Sequence, residues 1–192
     1  MNICVFCGSS LGRNDAYRAA AQALGAELAR REIGLVYGGA SVGLMGVVAD
    51  AVLDHGGSAI GVLPEALAEL EIAHDGLTEL RIVSSMHERK AQMADLSEAF
   101  IALPGGIGTL EEAFEVWTWS QLGVHAKPIG LLNIATYYDG LERFLDHMVA
   151  EAFVKPVHRN IMLSNADPAA LIDDLLRADV PVDRKWVDEL RR

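Results

Sequence analysis

The sequence predicts an α/β fold, an open, doubly wound and mainly parallel sheet with helices on both faces. Three observations predict it. Short apolar runs, continuous rather than alternating, recur along the chain as strands buried on both faces would. Between them lie longer segments with helical spacing of apolar side chains, suited to crossing over from one parallel strand to the next. Glycine-rich turns follow Phe6, Tyr37 and Leu103, which gathers the special backbone at the carboxyl edge of the sheet, where such folds bind ligands.

Ile3 to Phe6 is a first strand, and Cys7-Gly8-Ser9-Ser10-Leu11-Gly12 leads from it to a helix from about Asp15 to Arg31. That helix is expected to turn Ala19, Ala23, Leu24 and Leu28 inward. Gly34 to Tyr37 is a second strand. Gly38-Gly39-Ala40-Ser41-Val42-Gly43-Leu44-Met45-Gly46 then opens a second helix that runs to about His55. Ser58 to Leu63 is a third strand, and Pro64 to Gly76 is an acidic loop or short helix carrying Glu65, Glu69 and Glu71. Leu80 to Val83 is a fourth strand, and the helix it delivers starts in Met86-His87-Glu88-Arg89-Lys90 and ends near Leu96. Ala99 to Leu103 is a fifth, closed by Pro104, which has no donor for the ladder. A helix begins near Thr109 and carries Phe114, Trp117 and Trp119 to Leu122. Pro128 to Leu132 is a strand, Tyr138 to Phe153 a long helix, Asn160 to Leu163 an edge strand and Pro168 to Leu176 a last helix. Residues 1–180 read as one domain and 181–192 as a C-terminal tail that docks or frays.

At 192 residues, 51% of them hydrophobic, the chain can bury a large core. Only 6% are aromatic, so small and aliphatic side chains do the packing, as close helix-on-sheet contacts require. A net charge of −11 excludes a general binder of nucleic acid or anionic membrane, and any phosphate must be caught by local donors. Met1 leads straight into a strand without the features of a signal peptide, as expected of a cytoplasmic protein. Cys4 and Cys7 have CxxC spacing, but residues three apart on a strand face opposite ways, which argues against a shared metal or an easy disulfide. No metal or other cofactor is expected.

The chemistry concentrates in Pro104-Gly105-Gly106-Ile107-Gly108-Thr109-Leu110-Glu111-Glu112. Glycines there leave no side chain between main chain and ligand, so consecutive N–H groups can converge on an anion. The following helix adds its unpaired donors and positive dipole end. Thr109-Leu110-Glu111-Glu112 also fits a capping box, in which Glu112 would close a helix end rather than do chemistry. A nicotinamide site is excluded because Gly8-Ser9-Ser10-Leu11-Gly12 lacks the GxGxxG spacing and Tyr37-Gly38 stands where a ribose-binding acid is expected. A P-loop is excluded because no glycine loop runs into Lys-Ser or Lys-Thr. Arg89 reaches the same edge of the sheet and offers a planar fork of donors to phosphate or sugar oxygens.

Taken together, the loop 38–46, the segment 86–90 and the loop 104–112 resemble the LONELY GUY family, cytokinin riboside 5′-monophosphate phosphoribohydrolases, many of which were long mislabelled lysine decarboxylases. The resemblance runs from the first strand to at least Leu163. It implies a Rossmann-like fold, a homodimer, and hydrolysis of the bond between base and ribose in a purine nucleoside 5′-monophosphate, AMP or an N6-prenyl-AMP. It places the catalytic pair at Arg89 and Glu112. It further implies substrate contacts at Ser9, Gly39, Met45, Met86 and Lys90 and along Gly105, Gly106, Ile107, Gly108 and Thr109, with Glu71 and Thr118 added by position. Ala40 and Ile107 depart from the family pattern, where a third glycine and an aromatic are common.

A carboxylate held near the anomeric carbon stabilises the positive charge that builds on ribose as the glycosidic bond breaks, and can orient the attacking water. Glu112 suits that role. Glu111 cannot be its partner acid, since neighbours on a helix diverge by about 100°. Two rival readings use the same loops. A nucleotide or pterin carrier would bind without turnover, and a pyridoxal-phosphate decarboxylase would need one of Lys90, Lys127, Lys155 or Lys185 as Schiff base. Trp117, Trp119 and Leu122 exceed what one helix face buries and suggest a self-complementary surface for the dimer.

Overall fold

The computed structural model describes residues 1–68 and 73–181. Seven strands form one sheet in the order β4-β3-β2-β1-β5-β6-β7, and every neighbouring pair is parallel. They are β1 (Asn2–Phe6), β2 (Gly34–Tyr37), β3 (Ala59–Pro64), β4 (Glu79–Val83), β5 (Ala99–Ala102), β6 (Ile129–Leu132) and β7 (Met162–Asn165). Successive side chains alternate between two cores, as the period of two demands. Ile3, Val5 and Cys7 pack with Leu35, Tyr37, Ile101 and Leu103 on one face, while Cys4 and Phe6 pack with Val36, Phe100 and Ala102 on the other. The two thiols therefore point into different cores, and both are free.

Helices α1 (Asp15–Arg30), α2 (Gly43–Asp54) and α8 (Pro168–Arg177) cover the first face; α4 (Met86–Asp95), α5 (Ile107–Gln121) and α6 (Asp139–Ala150) cover the second. The short helices are α3 (Glu65–Ala68) and α7 (Pro156–Arg159). The chain steps outward from β1 to β4, then returns to the other side of β1 with β5. Loops leaving β1 and β5 consequently part toward opposite faces, and a crevice opens between them at the point where the strand order reverses.

Four expectations need correction. On α1, Ala20, Ala21, Leu24, Gly25 and Leu28 are buried, whereas Ala19 and Ala23 are exposed. Alanines all round this helix leave the apolar stripe to be chosen by the leucines. The helix after β5 begins at Ile107, not Thr109, because Gly106 takes an extended conformation and serves as the N-cap. α6 stops at Ala150, short of Phe153. Ala152 adopts φ +61°, and the amides of Phe153 and Ala152 close back on the carbonyls of Met148 and Val149, a Schellman ending with no glycine to announce it. β7 is displaced two residues along the chain, to Met162–Asn165.

Trp117 belongs to the core of the second face, and its indole N–H donates to the His158 carbonyl at 2.9 Å. Leu122 is exposed and Trp119 partly buried, so the expected surface cluster loses one of its two tryptophans. Glu69, Glu71 and residues 182–192 of the expected tail lie outside the described residues. Among the described residues, no helix is long and apolar enough to cross a membrane.

Candidate active site

The glycine loops after β1, β2 and β5 meet at the crevice. The Gly8 amide donates to the Pro104 carbonyl at 3.2 Å, and the Gly8 carbonyl accepts from the Leu44 amide at 3.0 Å. Gly43 holds φ +60°, and a Cβ there would lie 2.2 Å from the Ser9 carbonyl carbon, so the second loop approaches the first this closely only as glycine. Between the loops lies a cleft of about 370 Å³ lined by Cys7 to Ser9, Met45, Met86, Arg89, Gly106 to Thr109, Glu111 and Glu112. The N-terminus of α5 forms one wall and presents its unpaired amides there.

Arg89 enters from α4, whose start is tightly capped. The Ser85 hydroxyl accepts from the Glu88 amide at 3.2 Å, and the Glu88 carboxylate accepts from the Ser84 amide and hydroxyl at 2.8 and 2.7 Å. This capping fixes the turn from which Arg89 projects. Arg89 as a whole is only 6% exposed, yet the partners of its guanidinium are weak. Nη2 lies 3.4 Å from the Gly38 carbonyl, Nη1 lies 3.8 Å from the Met86 sulfur, and Nε has no hydrogen-bond partner. A Cβ on Gly38 would sit 2.0 Å from Nη2, so the second glycine loop is shaped around this arginine. A buried cation so poorly partnered costs several kcal/mol, and an anionic or electron-rich ligand in the cleft would relieve it.

Glu112 lies in the second turn of α5 and lines the same cleft as Arg89. The capping-box reading of this stretch falls. With Gly106 as N-cap, the N3 position belongs to Thr109, which is 4% exposed inside the helix, and Glu112 sits too deep to reach back. Burial, with the negative charge of Glu112 adding to it, raises the pKa of the Cys7 thiol well above its usual value. Cys7 is therefore a neutral wall of the site and not a nucleophile.

Lys90 lies next to Arg89 but not in the cleft lining. Its ammonium bridges Glu111 at 2.7 Å and Glu115 at 2.9 Å, tying α4 to α5. Burial works against that charge, but the two carboxylates outweigh it and hold the pKa above its ordinary value. Of the other expected contacts, Ser9, Met45, Met86, Gly106, Ile107, Gly108 and Thr109 are brought together in the cleft, with Ile107 88% exposed. Gly39 is buried behind Gly38 with φ +82°. Gly105 borders an adjoining cleft of about 320 Å³, which shares Gly8, Ser9 and Gly106 with the first. Thr118 is exposed farther along α5, where its hydroxyl donates to the Phe114 carbonyl at 2.7 Å. Glu71 is outside the described residues.

Sequence reasoning missed Tyr137 and Tyr138, whose hydroxyls donate to the carbonyls of Gly105 at 2.5 Å and Leu103 at 2.6 Å. Neither lies near a motif. Among the described residues no group of three or more His, Cys, Asp or Glu side chains could hold a metal ion.

The family model described as "Possible lysine decarboxylase" matches residues 45–175. A probable cytokinin riboside 5′-monophosphate phosphoribohydrolase of Oryza sativa subsp. japonica, LOGL9, is 54% identical over 173 residues, covering 90% of this chain and 76% of its own. The enzyme LOG3 of Arabidopsis thaliana, a cytokinin riboside 5′-monophosphate phosphoribohydrolase, is 52% identical and is covered over 80% of its length. This chain belongs to the LONELY GUY family. Among solved structures, the molybdenum cofactor carrier protein of Chlamydomonas reinhardtii is similar at a TM-score of 0.69 and 23% identity, over 92% of this chain and 98% of that one. That likeness shows the α/β fold alone. Within the LONELY GUY family match lie Met45, Met86, Arg89 and the whole of the 104–112 loop, whereas the β1 loop with Ser9 lies before it.

Proposed function

We propose that the protein hydrolyses the N-glycosidic bond of a purine ribonucleoside 5′-monophosphate, AMP or an N6-prenyl-AMP, to free base and ribose 5-phosphate, as in cytokinin activation. The observation that carries the reading is the buried, under-partnered Arg89 lining one cleft with Glu112 at the N-terminus of α5. Glycine-loop and helix amides hold the 5′-phosphate against the protein's negative net charge. Ribose then lies near Glu112, whose carboxylate stabilises the charge on the sugar ring and orients water toward the anomeric carbon. The bond from that carbon to the base nitrogen breaks with its electron pair left on the base, where Arg89 steadies the developing negative charge; the water oxygen bonds to the carbon, and the proton that the water gives up to Glu112 is passed on to the departing base.

Other chemistries fit less well. No lysine lines either cleft, Lys90 is held by two carboxylates, and Lys127 donates to the Ala94 carbonyl at 2.7 Å, which gives no support to a Schiff-base decarboxylase. A carrier would bind nucleotide without product. The test is incubation of pure protein with AMP and isopentenyl-AMP, followed by chromatography for free base and ribose 5-phosphate. Release of base that disappears in Glu112→Gln and in Arg89→Ala supports the reading, and tight binding without product replaces it with the carrier.

The protein acts in this reading as a cytoplasmic homodimer. Thr118, added by position as a substrate contact, lies outside its own protomer's cleft, exposed on α5 one turn before the exposed C-cap Leu122. A second copy on that side would give Thr118 a cleft to serve.

A further inference from the structure

We propose that the Tyr137 hydroxyl locks the orientation of the Gly105–Gly106 peptide and so aims the Gly106 amide at the ligand's phosphate. The proposal rests on the reading that this loop holds a phosphate. Tyr137 Oη donates to the Gly105 carbonyl at 2.5 Å, and this peptide, like the rest of the described backbone, is trans. In a trans peptide the carbonyl of one residue and the N–H of the next point in opposite directions. Tyr137 lines the adjoining cleft, so the carbonyl it holds faces that side, and the Gly106 N–H faces the side where Gly106, Ile107 and Gly108 line the first cleft. Neither flanking residue has a Cβ, and nothing intrinsic to a Gly-Gly pair prevents the plane from turning over. A flipped plane would present a carbonyl to the phosphate.

The approach to Tyr137 shows that this contact is built. Ala135 and Thr136, immediately before it, adopt φ +51° and +61°, a left-handed conformation that costs non-glycine residues of order 1–3 kcal/mol each. The Asn133 side chain stabilises the turn, accepting from the Tyr138 amide and donating to Asp139, both at 2.8 Å. The strained turn delivers two consecutive tyrosines to the two sides of Pro104. Tyr138 is buried and holds the Leu103 carbonyl at 2.6 Å, as a buried hydroxyl must be satisfied. Tyr137 is 43% exposed and could leave its hydroxyl to water. Its contact with Gly105 is thus not required by burial. Its ring is held edge-on by Tyr17 and Tyr138, at centroid distances of 5.6 and 5.0 Å.

The experiment is titration of inorganic phosphate, ribose 5-phosphate and adenosine into the wild type, Tyr137→Phe and Tyr17→Phe. Tyr137→Phe is expected to bind both phosphates roughly fivefold to tenfold more weakly, the factor a hydrogen bond of ordinary net strength supplies. Adenosine affinity and melting temperature should stay as in the wild type, and Tyr17→Phe should match the wild type throughout. Gly106→Ala provides a second check. Gly106 has φ −89° and open space at its Cβ position, so alanine tolerates the observed plane but resists the positive φ of the flipped one. In the Gly106→Ala background, removing the hydroxyl should cost less than about twofold in phosphate affinity, a coupling that simple loosening would not produce. Equal phosphate affinity of Tyr137→Phe and wild type overturns the proposal, and so does a loss shared by adenosine. Turnover of AMP is a separate readout. An affinity gap without turnover leaves the lock standing and removes the hydrolase reading, and turnover without a gap does the reverse.

Discussion

Arg89 and Glu112 carry opposite charges into one cleft from different helices, and their substitution separates chemistry from folding. Glu112→Gln keeps the shape of the side chain and removes its charge, so the rate of free-base release from AMP should fall by about a hundredfold to a thousandfold, the scale of a lost transition-state electrostatic contact. Its melting temperature should hold, because the N-cap of α5 is Gly106 and not this stretch's Thr109 with Glu112 as its capping partner. A variant that melts earlier but turns over normally would return Glu112 to a structural role. His125 provides an independent residue-scale test. Its ring packs on Phe100, its Nδ1 accepts from the Lys127 amide at 3.2 Å, and burial first, then the charge of Lys127, pulls its pKa from 6.5 to about 4. The unfolded chain therefore binds a proton in this range that the folded protein refuses. His125 contributes stability that is fully present above pH 6.5 and is lost as pH falls toward 4. Chemical denaturation at stepped pH should show a decline across that window, and His125→Phe should flatten it.

Lys90, expected as a substrate contact, is a strut between elements, because the two turns of α5 that present Glu111 and Glu115 face α4. Lys90→Met keeps the aliphatic stem and removes the ammonium. Exposure of Glu111 limits the ion pair, so a loss of about 1 kcal/mol is expected in denaturation. The more telling effect is on the relative placement of Arg89 and Glu112: kcat should fall more than KM rises, and a Lys90→Arg variant should recover part of it. A change confined to KM would restore Lys90 as a substrate contact. The α1–α2 contact gives a second test. Gly25 is buried where a Cβ would lie 2.7 Å from both the Ala51 Cβ and the Val48 carbonyl. Gly25→Ala improves helix propensity by roughly 1 kcal/mol but overpacks a rigid contact at about 1–3 kcal/mol. Net destabilisation is expected, and a raised melting temperature would contradict the close packing.

For the whole molecule, a net charge of −11 gives an anion no long-range help, so in the proposed reaction local donors hold the 5′-phosphate and its binding energy positions a distant bond. Nucleosides should be very poor substrates beside their nucleotides, with losses in kcat as well as KM, when free base is followed at matched concentrations. Equal rates would remove the phosphate role from residues 104–109. The assembly is the other property of the whole molecule. Light scattering at micromolar concentration should return twice the mass of the 192-residue chain. A monomer would leave Thr118 without a cleft and the dimer reading without support.

Strand runs, crossover lengths and glycine loops were legible from sequence because each depends on neighbouring residues: burial on both faces demands continuous apolar runs, and close backbone approach demands glycine. Arg89 and Glu112 were paired only by the family resemblance that segments 86–90 and 104–112 carry, since by local pattern alone the first is a charged helix start and the second a capping residue. Periodicity could not choose the buried stripe of α1, since alanine reads alike on every face, nor find the left-handed end of α6 at Ala152. Thr109 looked like a cap because local pattern cannot see that Gly106 already supplies one. What only the tertiary structure decided were the partners: Lys90 with Glu111 and Glu115, Trp117 with His158, Gly38 around Arg89, and Tyr137 against Gly105. Those pairs are up to 51 positions apart, and their geometry follows from how strands β1 to β7 order themselves in the sheet. A local sequence pattern encodes what a residue can do with its neighbours along the chain; which distant group it meets is settled by packing, where the competition for burial and hydrogen bonds is resolved for all residues at once.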